Sequence, residues 1–311
     1  MLRIPCGRIE LLLQRHSAEK SLPDMLFLHG FMGNGCTFGP LIRELYSTVN
    51  AITLDISAAA SENQVWSGEP LFTPGTLSKA LHQIPGDLFF GRPIIYAYSM
   101  GGRIALHEAS SGNHLFNQAP ALLLESTTAG IEDATQRKLR RLKDCARARS
   151  LLADFDRFVQ EWQNQPLFRA GNTINNSISR ATMARDYPGS SNAGEGSAKA
   201  GIRRTHEEYA GLQRRIDPNE AARWLLDFGT GSMPSLWNQL EKIHPPALLI
   251  TGEHDHRFTR KAQRMQQHLH TSTHVIIPAA SHRTHSDEPG ILACYIAHYI
   301  NNLEPGSPRF S

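Results

Sequence analysis

The sequence predicts an α/β protein: a mostly parallel sheet with helices on both faces and a helical insertion at one end. Short apolar runs bounded by turn signals alternate with helical patterns. The runs are continuous rather than alternating apolar and polar, as strands covered on both faces require. The alternation then stops between Ile131 and Asn238, where only helical patterns occur.

Six runs are expected as strands. Met25 to Leu28 ends at His29-Gly30, and Val49 to Leu54 ends at Asp55. Pro93 to Tyr98 leads at once into a helical stretch from Met100. Pro120 to Leu124, Ala247 to Thr251 and His274 to Ile277 complete the set. Inside the insertion, Gln136 to Leu152 and Asp154 to Gln163 have helical spacing, and Pro218 to Asp227 opens with a proline suited to the first helical turn. Residues 170–201 are rich in Gly, Ser and Asn and are expected as a mobile surface loop. The expected division is a core of 1–127 and 241–311 with a helical cap over 128–240.

A chain of 311 residues, 40% apolar and 20% charged, is globular in composition. It is long enough to need no disulfide or metal staple. No run of about 18 apolar residues is present, so no membrane insertion is expected. The charged N-terminal stretch lacks a small-residue cleavage pattern, which argues against a signal peptide and for a cytoplasmic protein. Cys6, Cys36, Cys145 and Cys294 lie far apart with no C-x-x-C pair, so neither a zinc site nor a redox dithiol is expected. No cofactor motif is found. The formal net charge of +3 is too small for a nucleic-acid partner. Nothing in the sequence sets an oligomeric state.

The most informative segment is Ile94-Ile95-Tyr96-Ala97-Tyr98-Ser99-Met100-Gly101-Gly102-Arg103. A buried strand enters a tight turn holding one serine and leaves as a helix. Such a turn strains the serine backbone and raises its oxygen above the sheet. The Met100 amide and the helix N-terminus then face any negative charge forming there. The usual pattern is G-x-S-x-G, and Ala97 stands at its first position. The bland alternative is a serine capping an ordinary helix.

Partners follow at other strand ends. His29-Gly30-Phe31 would supply a second oxyanion donor, the Phe31 amide. Asp255 lies just past one strand and His282 just past the next. The order Ser99, Asp255, His282 is that of α/β hydrolases. Among 15 histidines, His254, His256 and His285 are rivals to His282, and Glu253 is a rival to Asp255.

Five stretches together carry a closer resemblance: FLHGFMG at 27–33, YSMGGRIAL at 98–106, ESTTAGIEDATQRKLRRLKD, FVQEWQNQPLF, and the pair TGEHDHRF with IPAASHRTHSDEP. HGF and SMGG are shared by many hydrolases, whereas the arginine after SMGG, the Arg-rich stretch and W-x-x-Q-P-L-F discriminate. The chain resembles the 2-succinyl-6-hydroxy-2,4-cyclohexadiene-1-carboxylate synthases of menaquinone biosynthesis, which have the α/β-hydrolase fold. The resemblance implies a lyase in which the serine–histidine pair removes a proton and pyruvate is eliminated from a small, multiply carboxylated substrate. Carried across by motif, it implies substrate contacts from Arg103, Arg140, Trp162, Tyr98 and Arg214, with Arg215 as the neighbouring alternative to the last.

The residues themselves agree. The stretch from Arg137 to Arg149 holds seven cations against one acid, Asp144. A ligand with several carboxylates needs planar forked donors, which arginine supplies two at a time. Only part of a helix can face one cleft; Arg140, the position that the resemblance implies, is favoured, with Arg137 and Arg141 in reserve. Most of the others belong to a solvated face. Trp162 is also open to a purely packing role. Three features depart from the family pattern: Ile56-Ser57-Ala58-Ala59-Ala60 stands where a Pro-Gly-His-Gly run is usual, Ser281 stands where a glycine is usual, and the 170–201 segment is longer than expected, which leaves Arg214 and Arg215 as alternatives. The competing functions are a serine esterase, thioesterase or carbon–carbon bond hydrolase, which would use Ser99 as a nucleophile, and a silent binding protein, which would not need an intact triad.

Overall fold

The computed structural model describes residues 1–58, 65, 66, 70, 73–169 and 207–303. In chain order the strands are β1 (Leu2–Cys6), β2 (Ile9–Arg15), β3 (Asp24–Leu28), β4 (Asn50–Ala58), β5 (Ile94–Tyr98), β6 (Leu122–Glu125), β7 (Ala247–Gly252) and β8 (Ser272–Ile277). They form one sheet in the order β1-β2-β4-β3-β5-β6-β7-β8. β1 and β2 pair antiparallel, as do β2 and β4, and every later pairing is parallel.

All six expected strands are present, with shifted ends. The largest shift is in β4, which runs on to Ala58 because β2 pairs along its full length, Ile9 against Ala58 and Arg15 against Ile52. The run after Asp55 therefore continues the strand, which was expected to end at Asp55. The β1–β2 hairpin was not foreseen. It turns at Gly7, whose φ of 65° suits glycine. In β2 the alternate residues Ile9, Leu11 and Leu13 are buried, and Leu12 between them hides that period in the sequence.

Both faces of the sheet are covered, as continuous apolar strands demand. Leu26, Leu28, Ile52, Leu54, Ile95 and Ala97 face one apolar cluster. Their neighbours Met25, Phe27, Ala51, Ile94, Tyr96 and Tyr98 face the other. The covering helices include α1 (Gly39–Glu44), α2 (Pro74–Leu81), α3 (Met100–Ser110) and α4 (His114–Asn117).

Between β6 and β7 lie α5 (Ala134–Ala153), α6 (Phe155–Gln163) and α7 (Pro218–Phe228), and no strand among the described residues. Asp133, Asp154 and Asp217 cap them by accepting from backbone amides in the first turns. Pro218 opens α7 as the sequence suggests. Ala148, Leu151, Phe158, Val159, Ala222 and Leu225 join these helices in a separate apolar cluster, which reaches the core at Met32. The expected loop at 170–201 lies outside the described residues. After β7 come α8 (His256–Gln266), α9 (Thr284–Asp287) and α10 (Pro289–Asn301). No helix among the described residues is long and apolar enough to cross a membrane.

Candidate active site

Parallel strands place their carboxyl ends along one edge, and the turns leaving that edge meet there. Ser99 sits between β5 and α3 at φ 50°, ψ −101°. A non-glycine residue there stores about 1–3 kcal/mol of strain. The turn is held on both sides: Ser99 N donates to Glu125 O at 2.8 Å, and Thr127 Oγ1 donates to Ser99 O at 2.7 Å. Gly101 is required because a Cβ there would lie 2.5 Å from Leu28 O. Ala97 is fully buried, and its methyl group fits the core.

His282 Nε2 lies 3.1 Å from Ser99 Oγ, and its Nδ1 lies 2.7 Å from Asp255 Oδ2. His282 and Asp255 are buried, while Ser99 is partly open. Asp255 also caps α8, which fixes the carboxylate at the strand end. The loop carrying His282 approaches β7 so closely that a Cβ on Gly252 would lie 2.1 Å from Ser281 O. Backbone cannot yield there cheaply. Gly252→Ala is expected to cost about 1–3 kcal/mol by overpacking and to displace His282 from Ser99. Urea unfolding and activity measured on one preparation check both effects.

Ser281 has its own role in this loop. Its N and Oγ both donate to Asp287 Oδ2, at 2.8 and 2.5 Å. His282 N donates to Leu167 O at 3.2 Å, so the insertion touches the triad loop directly. Below it lies buried Glu125, which accepts from Tyr96 OH at 2.7 Å, Thr284 Oγ1 at 2.6 Å and His285 Nδ1 at 2.7 Å. Burial pushes the Glu125 carboxyl up. The His285 charge and these hydrogen bonds outweigh that and hold it below the usual carboxylate range.

The rivals are engaged elsewhere. His285 pairs with Glu125, Glu253 accepts from Ala279 N, and His254 is absent from the wall of the cavity above Ser99. His256 lies exposed at the start of α8. Phe31 and Met100 both line the cavity above Ser99. Met100 opens α3, so its amide has no partner within the helix.

That cavity, of about 140 Å³, is lined by Ser99, His282, Tyr98 and Trp162 together with six cationic side chains: Arg103, Arg140, Arg147, Arg257, Lys261 and Arg283. Among the described residues no carboxylate lines it. Arg103 is buried and donates through Nη2 to Phe228 O at 2.5 Å. Burial and the neighbouring Arg140 charge pull its pKa down to about 10, against a smaller opposing pull from Asp144. Arg140 Nε reaches both Asp144 oxygens at 2.9 Å, and Arg147 Nη1 reaches Oδ1 at 3.2 Å. One buried acid thus orients two arginines, one a helical turn before it and one a turn after it. Burial, with Arg257 and Arg140 nearby, also lowers the Lys261 pKa.

Trp162 packs against neighbouring rings and also reaches the cavity wall. It stacks on Phe158 at 5.8 Å and meets Phe31 edge-on at 5.0 Å, and it lines the cavity. Tyr98 packs beside the His282 ring at 5.5 Å. Arg214 corrects an expectation: it is absent from the cavity wall, and its Nε bonds Asp156 Oδ1 at 3.2 Å on the surface. Arg137 and Arg141 also lie off the wall, their backbone packed against Gly231. Sequence reasoning missed Arg147, Arg257, Lys261 and Arg283. For Arg257 and Lys261 a signal existed, since the first turns of a helix capped by Asp255 lie at the same edge as the triad. Among the described residues no group of three or more His, Cys, Asp or Glu side chains is placed to hold a metal ion.

Residues 25–293 match the alpha/beta hydrolase family, and the chain belongs to that family. Within it, the chain is 28% identical over 277 residues to a Bacillus subtilis (strain 168) protein provisionally named as a 2-succinyl-6-hydroxy-2,4-cyclohexadiene-1-carboxylate synthase, covering 89% of each chain. It is 23% identical to the synthase of that name from Yersinia pseudotuberculosis serotype O:3 (strain YPIII), covering 92% of this chain and 91% of the other. The solved structure of MenH from S. aureus is 25% identical and superposes with a TM-score of 0.73, covering 96% of this chain and 99% of that one.

Proposed function

We propose that the protein is a carbon–oxygen lyase that eliminates pyruvate from 2-succinyl-5-enolpyruvyl-6-hydroxy-3-cyclohexene-1-carboxylate, giving 2-succinyl-6-hydroxy-2,4-cyclohexadiene-1-carboxylate. In this reading residues 1–127 and 241–311 are the catalytic core and 128–240 form its cap. One observation carries the reading: Ser99, hydrogen-bonded to His282, opens on a wall with six cations and no carboxylate among the described residues. A neutral ester gains nothing from such a wall, whereas a tricarboxylate does. The similarity to the named synthases supports the same substrate.

The chemistry follows from the geometry. His282 draws the hydroxyl proton of Ser99, and Asp255 orients the ring and stabilises its cation. The Ser99 oxygen takes the proton from the ring carbon bearing the succinyl group. The electrons left behind spread onto the succinyl ketone oxygen, which the Phe31 and Met100 amides stabilise. As they return through the ring double bond, the carbon–oxygen bond to the enolpyruvyl group breaks. The departing enolate takes a proton and becomes pyruvate. No water enters either product. Arg103, Arg140, Tyr98 and Trp162 hold the substrate over Ser99.

The same array favours a second reading, hydrolysis of an anionic ester or thioester, because a serine 3.1 Å from a histidine nitrogen can also attack a carbonyl. Supplying the purified protein with the enolpyruvyl substrate and coupling pyruvate to a dehydrogenase separates the two. The lyase reading expects one pyruvate per substrate consumed. Absence of pyruvate, alongside turnover of anionic esters, would favour the hydrolase.

A further inference from the structure

Three arginines are buried among the described residues: Arg103, Arg223 and Arg283, at 9%, 3% and 2% exposure. Arg223 lies off the cavity wall and is paired with Asp227. Arg103 and Arg283 line the wall, and neither forms an ion pair among the described residues. In both, Nε has no partner. A buried guanidinium without a counter-charge is costly unless a ligand supplies one. Of the three buried arginines, the two without an ion pair among the described residues are thus the two that line the cavity.

The Arg283 guanidinium is packed on both of its faces. It lies between the rings of Phe168 and Tyr209, 3.6 and 4.0 Å from their centroids. The rings cover both faces and leave only the edge for hydrogen bonds. Nη1 donates to Gln163 Oε1 at 2.5 Å. Gln163 is itself fixed, because its Nε2 donates to the buried Gln213. The partners of Arg283 also differ from those of the other wall arginines: it packs on Phe168, Tyr209 and Gln163, whereas Arg103 bonds Phe228 O and Arg140 and Arg147 both bond Asp144.

We propose that Arg283 is a second carboxylate-binding pole of the cavity, next to His282 and separate from the Arg103–Arg140–Lys261 pole, so that the site selects ligands with carboxylates at both ends. This deepens the proposed function and rests on it only in taking the cavity as the ligand site.

The test needs no turnover. Calorimetric titration uses three stable probes shaped like the product: 4-(2-carboxyphenyl)-4-oxobutanoate, with both carboxylates; 4-oxo-4-phenylbutanoate, without the ring carboxylate; and 2-butanoylbenzoate, without the chain carboxylate. Wild-type protein should bind the diacid at least about tenfold more tightly than either monoacid. Arg283→Gln should weaken the diacid by about tenfold or more and weaken only one of the monoacids. Arg140→Gln should weaken the other. Arg283→Lys, which keeps the charge but loses the planar fork, should fall between wild type and Arg283→Gln. Near-ultraviolet dichroism matching wild type shows that the variants are folded.

Failure of the wild type to bind the diacid, or equal effects of Arg283→Gln on both monoacids, would overturn the proposal. If Arg283→Gln does not fold, the Arg283→Lys titrations decide by the same pattern. The binding pattern without pyruvate release would remove the lyase reading and leave the pole standing. Pyruvate release with a flat pattern would do the reverse.

Discussion

Ser99→Ala is expected to lower kcat for pyruvate release by at least about 10³-fold with little change in KM. The substitution removes the oxygen that takes the proton, and residues acting as a catalytic unit lose most of their effect when one is deleted. The cations that bind the carboxylates remain, so ground-state affinity is preserved. Stability separates this loss from misfolding. At φ 50° alanine carries the same strain as serine, so Ser99→Ala should unfold at nearly the wild-type temperature. Ser99→Gly should lose the same activity yet gain about 1 kcal/mol, because glycine occupies that conformation freely. Steady-state kinetics and thermal unfolding of the three proteins check the pattern. Retained activity in Ser99→Ala would place the base elsewhere.

The second large effect is expected at the wall. Arg103→Ala and Arg140→Ala should each lower kcat/KM by about 2–5 kcal/mol, roughly 30- to 4,000-fold, because a buried carboxylate of the substrate is left unpaired. Arg103 should show the larger share. It is buried and forms no ion pair among the described residues, while Arg140 is partly committed to Asp144. Arg137→Ala, off the wall, is the internal control and should change kcat/KM by less than about twofold. Equal losses in Arg137→Ala and Arg140→Ala would mean that α5 is being disturbed as a whole.

The legible part of this molecule was the part written locally. A strand, a tight turn and a helix around Ser99 declare themselves because glycines, a small residue before the serine and an apolar run must sit side by side in sequence. Asp255 and His282 were legible because each follows a strand directly, and strand ends converge by topology. Arg140 was singled out by the resemblance, since helix spacing says only that part of the stretch can face one cleft, and Asp144, one turn on, turned out to hold it. The β1–β2 hairpin was not legible, because Leu12 breaks the visible alternation of β2 while its neighbours alone are buried. The end of β4 was misplaced because antiparallel pairing with β2 extends it, a contact far away in sequence.

The remaining cations were hidden for a different reason. Arg283 has no local pattern at all. Its significance comes from Phe168, Tyr209 and Gln163, all supplied by the insertion. Arg214 shows the opposite case. Motif position placed it with the substrate, but the acid at Asp156 in the first turn of α6 draws it to the surface.

The central claim is that Ser99 moves a proton and never becomes acylated. Mass spectrometry of protein and products, after rapid quenching of a turnover in water enriched in ¹⁸O, tests it most directly. The account predicts unmodified Ser99 at every time point and no ¹⁸O in any carboxylate of either product. An adduct on Ser99 that forms and decays at the rate of turnover, with one ¹⁸O in a product carboxylate, would contradict it.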